Sequence, residues 1–320
     1  MRGRTLVASC RMPMVKALRF VAVVCLVWGG RVQADTSRGG SFLALGHGAR
    51  AHAMGGSGVA LLRDDSAVYW NPANLAWLEH GTGFTLMHAD ILPGIDDGYE
   101  TLSFARAMGE RLGEMEQVVR PTRWGYGLFI SHMGFDFDSG RSWTENTFLI
   151  GAAYALNNFA TLGVGFKVLR LDNDFESADA KGAGVDLGLS VLVLDRLTAS
   201  VVGRDTWTRV RWDTSTWETL EPSITFGFEY RPLRGWTAEA DFVLREDTLQ
   251  RTVGGVEWQA YRDILWLRGG LTVLSTDEQR TFPSAGAGVR FSRFVLDYAA
   301  SFDDEDALEV GQRVSLQIHF

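Results

Sequence analysis

The sequence predicts an all-β fold: a 14-stranded antiparallel transmembrane β-barrel with an N-terminal plug that contains short helices. Three observations carry this reading. From Thr82 onward the hydropathy repeats with a period of two. Most of the candidate strands are 8–12 residues long, which suits a tilted strand crossing a bilayer. The connections between them alternate between short and long, with turns at one end of a barrel and loops at the other.

In chain order, residues 1–34 read as a secretory signal. Arg2, Arg4, Arg11, Lys16 and Arg19 form a basic region, Phe20–Trp28 an apolar one, and Val32-Gln33-Ala34 a cleavage site. Met1, Met12 and Met14 are all possible translation starts. The apolar run is too short to span a bilayer as a helix, and no run of 18 apolar residues follows it. Removing residues 1–34 takes away six basic and no acidic residues and moves the net charge from −8 to −14. That charge excludes nucleic acid as a partner. Both cysteines, Cys10 and Cys25, leave with the signal, so no disulfide is expected.

Residues 35–81 form the expected plug. Between Gly46 and Gly58 almost every residue is small, including Gly48, Gly55 and Gly56. Such a chain packs its backbone closely against a wall, and glycine tolerates positive φ. Asp64, Asp65 and Ser66 are capping types ahead of one helical turn at Ala67–Trp70. Pro72 suits the first turn of a second short helix and disfavours helix at Asn71. The glycine run fits neither a phosphate-binding loop nor a dinucleotide fingerprint.

Residues 82–320 supply the barrel, with strands expected at 82–89, 98–106, 123–132, 146–156, 159–170, 182–194, 197–204, 223–231, 236–244, 251–259, 264–273, 283–291, 294–302 and 311–320. In 223–230, Ile224, Phe226, Phe228 and Tyr230 oppose Ser223, Thr225, Gly227 and Glu229. In the last strand Val314, Leu316, Ile318 and Phe320 oppose Arg313, Ser315, Gln317 and His319. A soluble sandwich alternates too. The apolar rows here often end in aromatic residues (Trp236, Tyr230, Phe302, Phe291, Trp258), as membrane interfaces favour. Turns are expected at 157–158, 195–196, 232–235, 260–263 and 292–293. Loops are expected at 133–145, 171–181, 205–222, 245–250, 274–282 and 303–310. The connection 107–122 breaks the alternation and reads as a short helix around Gly109–Val119. An even strand count puts both termini in the periplasm. The final strand ending on Phe320 resembles the signal by which the barrel assembly machinery recognises its clients.

Candidate chemistry is sparse. Asp186, Glu229, Glu239, Asp241, Glu257, Arg268, Arg290, Asp297 and Arg313 fall on the lumen-facing phase. Buried charges need partners, and Arg50 with Asp64 and Asp65 are the expected plug-side ones. His47 and His52 do not form a metal site with other ligands, and no cofactor is expected. Ser131 and His132 fall on opposite faces, so no catalytic set forms and the chain does not read as an enzyme. The acidic stretches 136–140, 172–176 and 303–309 lack full calcium-loop spacing. Trp207, Trp212 and Trp217, five apart in one expected loop, are candidates for a hydrophobic substrate entrance.

The stretch Gly48–Gly56, the pair Asp64–Asp65 and the run Tyr69–Ala76 (Tyr-Trp-Asn-Pro-Ala-Asn-Leu-Ala) resemble the N-terminal segment of the PorV/PorQ family, relatives of the FadL-like transporters. The usual Asn-Pro-Ala-Gly stands here as Asn71-Pro72-Ala73-Asn74. The resemblance implies a 14-stranded barrel in the outer membrane, in contact with its lipids, with the N-terminal segment as a hatch in the lumen. It implies transport of hydrophobic, fatty-acid-like molecules. The alternative it implies is a PorV-like partner of secretion-system proteins in type IX secretion.

Overall fold

The computed structural model describes residues 45–61, 64–90, 97–112, 120–137, 141–174, 179–275, 280–302 and 310–320. The expected signal and residues 138–140, 175–178 and 303–309, which include parts of the acidic stretches, lie outside them, as does most of the helix expected between Gly109 and Val119.

Fifteen strands form one antiparallel sheet: β1 (Thr82–Asp90), β2 (Asp97–Arg111), β3 (Thr122–Phe137), β4 (Arg141–Ala155), β5 (Ala160–Asn173), β6 (Ala180–Leu194), β7 (Leu197–Trp212), β8 (Trp217–Thr219), β9 (Ser223–Tyr230), β10 (Trp236–Arg245), β11 (Thr248–Tyr261), β12 (Leu265–Leu274), β13 (Arg280–Phe291), β14 (Phe294–Phe302) and β15 (Val310–His319). Strand β15 pairs with β1 from Gly83↔His319 to Asp90↔Gln312, and this closes the ring. Strand β7 pairs with β9 through Leu197–Arg204 and with the short β8 through Arg209–Arg211. The ring is therefore fourteen strands, with β8 as an appendage. The rim where β1 begins and β15 ends is called proximal below, and the opposite rim distal.

The period-two pattern sets which side chains meet the outside. In β5, Leu162, Val164, Phe166 and Val168 are 39–46% exposed, whereas Lys167, Leu169 and Leu171 on the other phase are buried. The same apolar row recurs around the ring, for example Leu128 and Ile130 in β3, Phe148 and Ile150 in β4, and Leu296 and Tyr298 in β14. A continuous apolar belt of this size suits hydrocarbon rather than water. Aromatic pairs mark its proximal edge: Trp124 against Tyr154 at 4.5 Å and Trp236 stacked on Trp258 at 5.7 Å.

Several strands run beyond their expected ends. Outside a bilayer both faces of a strand can be polar, so hydropathy stops marking it while the ladder continues. The expected loop 205–222 is largely the distal half of β7 and its hairpin to β8. The expected loop 245–250 is a two-residue turn in which Glu246 and Asp247 have φ of 49° and 59°, the left-handed pair that matches strand twist in a tight hairpin. Residues 107–111, placed by the sequence reading in a connection with a helix from Gly109, continue β2 and pair through Arg111↔Thr122. Strand β7 carries a bulge: the register against β6 shifts between Val185 and Leu187, and Asp205 has φ of 54°.

Residues 45–61 and 64–81 fill the lumen. Helix α1 (Ala49–Ala53) packs on β12–β15, and α2 (Ala67–Trp70) packs on β2–β4. The 3₁₀ turn Pro72–Trp77 packs on β2–β6. The segment thus touches opposite walls. Helix α1 escapes sequence detection because it is a single short turn of Ala, Arg and His. The main apolar core is the interface of this segment with the wall: Val68, Tyr69, Trp70, Leu75 and Leu78 against Ala105, Phe129, Leu149 and Ala153.

Removal of residues 310–320 deletes the closing strand. It leaves β1 and β14 with open edges, each unpaired backbone group costing several kcal/mol in lipid. The expected outcome is loss of the compact, heat-modifiable form on electrophoresis; retention of that form in the truncated chain contradicts the seam.

Candidate functional site: the lumenal plug

The wall is shaped to the plug by glycine. A Cβ placed on Gly163 would overlap the backbone of Pro72 and Ala73, one on Gly125 that of Leu75, and one on Gly270 or Gly255 that of Met54. These glycines all fall on the lumen-facing phase of their strands, at places where backbone meets backbone.

Charge holds the first half of the plug. The Arg50 guanidinium donates to both carboxylate oxygens of Glu257 at 2.8 Å and to Asp64 at 2.9 Å. Glu257 accepts in turn from Arg268 at 2.7 Å, and Arg268 donates to Asp297 at 2.6 Å. Bidentate arginine–carboxylate contacts of this kind fix orientation as well as charge. Asp64 also caps locally, accepting from the Ser66 amide at 2.9 Å and from its hydroxyl. Arg50 lowers the pKa of Asp64 against the opposing effect of its burial, with the Ser66 hydrogen bonds adding to the lowering. Asp65 contacts His319 at 2.9 Å, which ties the plug to the closing strand.

Backbone amides hold the middle. Gly58 and Val59 donate to Asp241 at 3.0 and 3.3 Å, and Ala60 donates to Glu239 at 3.1 Å. Gly55 donates to Ser284 at 2.9 Å, and Gly48 to the Met87 sulfur at 3.1 Å. Gly48, Gly55 and Gly56 have φ of 83°, 80° and 79°, which side-chain-bearing residues rarely adopt.

Asparagine holds the end. Asn71 accepts from the Ala73 amide at 3.0 Å and donates to the Val59 carbonyl at 3.0 Å and the Ser190 hydroxyl at 2.9 Å. Pro72 opens the 3₁₀ turn. Asn74 donates to the carbonyls of Val59 and Leu61 and accepts from Ser190. Glycine at position 74 could make none of these side-chain contacts. Trp77 closes the segment with a 2.8 Å bond to Thr161.

The three tryptophans do not converge. Trp207 lies on the outer face of β7 beside Arg209, and Trp217 is exposed beside Arg211. Trp212 alone packs on the lumenal cluster of Leu169, Leu171, Val210 and Leu220, with its indole N–H on Glu218 at 2.8 Å. Ser131 is buried and His132 exposed, on opposite faces. Among the described residues no three His, Cys, Asp or Glu side chains gather as metal ligands. The Phe320 amide donates to the Thr82 carbonyl at 2.9 Å, and its ring meets Phe84 at 6.0 Å. The sequence reading placed Glu239 and Asp241 among the lumen-facing charges expected to hold the plug, but not the amides of Gly58, Val59 and Ala60 as their partners. It also missed His47, whose ring sits between the hydroxyls of Thr101 and Ser103 at 2.7 and 2.8 Å. The lumen-phase glycines were the available signal for the wall's footprint.

The arrangement defines a class: closed 14-stranded barrels whose own N-terminal segment occupies the lumen. Among solved structures the chain is similar to the toluene transporter TbuX of Ralstonia pickettii (16% identity, TM-score 0.60, over 87% of this chain and 100% of that one). It is also similar to the CymD monoaromatic hydrocarbon channel (14% identity, TM-score 0.62, over 87% and 98%). A FadL homologue of Pseudomonas aeruginosa matches at 12% identity with a TM-score of 0.57, over 84% and 97%. The fold is therefore FadL-like. No protein-family profile and no curated protein matches the chain.

Docking of the plug depends on pH through its histidines. Burial pushes the His47 pKa down from 6.5 to about 4, and burial with nearby Arg313 and Arg251 lowers His52 in the same sense. An undocked segment takes up protons below pH 6.5 that the docked one refuses. The contribution of these two histidines to docking is thus fully present above pH 6.5 and is lost as the pH falls toward 4, by about 1.4 kcal/mol per pH unit for each histidine. Hydrogen exchange of residues 46–61, corrected for intrinsic rates, should accelerate over that window, and the slope should shrink in His47→Gln. A flat profile contradicts the neutral, buried imidazole.

Proposed function

We propose that the chain is an outer-membrane channel that passes hydrophobic small molecules, with both termini in the periplasm and the distal rim outside the cell. The observation that carries the reading is the division of the lumen by the plug. On the distal side the lining carries two apolar clusters: Met87, Tyr99 and Met133 with Phe135, and Leu169, Leu171 and Val210 with Trp212. On the proximal side lies a cavity of about 1120 Å³ rimmed by charged groups, among them Glu79, Asp195, Arg196, Arg231 and Arg234. A hydrophobic solute gains by entering the first compartment and meets the plug before the second. Gly48, Arg50, Gly55, Gly56, Asp64, Asp65, Asn71, Pro72 and Asn74 then act as the gate, because each fixes the plug's backbone or its attachment. Of the three tryptophans only Trp212 serves the entrance. Phe320, one residue past the closing strand, serves the seam through its amide bond to the Thr82 carbonyl and its ring against Phe84.

The neighbours named as toluene transporters and hydrocarbon channels support transport over partnership in secretion. The narrower PorV/PorQ membership rests on the motif at Gly48–Gly56, Asp64–Asp65 and Tyr69–Ala76.

Proteoliposomes carrying the full chain should take up radiolabelled toluene or oleate with saturation. Val210→Asp, which puts a carboxylate among Leu169, Leu171 and Leu220, should lower uptake tenfold or more while the heat-modifiable barrel persists. Absence of saturable uptake for both probes overturns the reading.

A further inference from the structure

The outer face of the barrel changes character at the distal ends of β5, β6 and β7. Register sets the outward side chains there in rows. Phe166 of β5, Val185 of β6 and Trp207 of β7 lie side by side. Two residues nearer the distal rim, Val168, Ala183 and Arg209 form the next row. Two residues further, Arg170, Lys181 and Arg211 stand in register, and that row ends on Trp217 of β8. Strand spacing and rise place these four cations in a patch roughly 10 Å wide and about 7 Å high. It begins where the apolar belt stops.

Arg170 is held by Asp172 of its own strand, whose two carboxylate oxygens accept from its guanidinium at 3.0 and 3.1 Å. Lys181, Arg209 and Arg211 form no ion pair with another described residue. Arg209 and Arg211 only lie over the rings of Trp207 and Trp217, at 5.9 and 5.8 Å. Lys181 and Arg211 face each other directly across β6 and β7, where like charges repel. Along β7 the next acid past Arg211 is Asp213, in the turn. The same row runs the other way through Asn146 and His132 to Glu100 of β2. There the polar groups answer one another: Glu100 meets His88 at 3.1 Å, and Asn146 meets His132 at 2.9 Å. The uncompensated charge is thus local to β6 and β7.

Cations on the outside of a barrel, just past its apolar belt, stand at the level of lipid head groups. We propose that Lys181, Arg209 and Arg211, with Arg170, bind the phosphates of an outer-leaflet glycolipid, a phosphorylated sugar carried on acyl chains. The acyl chains lie along Phe166, Val185 and Trp207, and the exposed ring of Trp217 stacks on the sugar. Guanidinium groups bind phosphate strongly, and an anion between Lys181 and Arg211 removes their repulsion. Cations on three strands and two rows suit a head group with more than one phosphate. The assignment rests on the reading above that the distal rim lies outside the cell.

Native mass spectrometry of the full chain in non-ionic detergent, with lipid added, reads occupancy directly. The probes are bisphosphorylated lipid A, its dephosphorylated form and phosphatidylglycerol. Lipid A is expected to bind at least tenfold more tightly than either. Lys181→Gln combined with Arg211→Gln should lower that affinity at least tenfold, and Lys181→Arg combined with Arg211→Lys should keep most of it. Where the glutamine variant does not form the heat-modifiable barrel, Arg209→Gln serves the same comparison with Arg209→Lys as its rescue. Equal binding of the dephosphorylated lipid, or an affinity unchanged in the glutamine variants, overturns the site. Phosphatidylglycerol bound as tightly as lipid A shows a surface for anionic lipids in general and overturns the glycolipid assignment. The orientation is read separately. No cysteine follows residue 25, so Asp213→Cys introduces one thiol at the distal rim. A membrane-impermeant maleimide should label it in intact cells. Labelling only after the outer membrane is opened overturns the external rim and the glycolipid with it. Labelling of intact cells without a lipid preference overturns the lipid site alone and leaves the channel standing.

Discussion

The pairing of Arg50 with Glu257 is the contact on which the rest of the interior depends. A ring of fourteen strands is too wide for its own side chains to fill, since about eight strands already give a packed interior. Something else must occupy the lumen, and here it is the chain's own N-terminal segment, which carries a row of backbone amides and few side chains. Those amides need acceptors, and the wall provides Asp241, Glu239 and Ser284. Arg50 supplies the positive charge that lets Glu257 and Asp64 lie buried, and Arg268 and Asp297 extend the alternation of sign. Removing one member of such a chain strands the others, a cost of about 3–5 kcal/mol for a buried pair.

The fold was legible because the barrel's outside is simple. Lipid demands an apolar residue at every second position, so the strand count and the seam follow from the alternation ending at Phe320. Strand ends were not legible, because a ladder that rises past the membrane has no hydropathy requirement. Hence β7 absorbed a stretch, 205–212, that read as loop, and Trp207 turned to the outer face. The plug was legible as small, capped and turn-rich, and Asn71 and Pro72 stand where that chemistry places them. Which wall residue each would meet was not legible, since Asn71 and Ser190 are 119 positions apart and only ring closure brings them together.

The interior is thus polar where the plug is anchored and carries apolar clusters beyond it. This asymmetry gives direction to the proposed transport. A solute that partitions into the distal lining reaches a barrier made of hydrogen bonds rather than of hydrocarbon. Passage then requires those bonds to exchange, and the many separate anchors argue for movement of part of the plug rather than its release as a body.

The most direct measurement is single-channel conductance in planar bilayers for the full chain and for the chain lacking residues 46–78. The account predicts a closed full-length barrel and a folded deletion variant that conducts steadily, because strand pairing from Thr82 to His319 does not use the plug. A deletion variant that folds and stays closed would contradict the claim that this segment occludes the lumen.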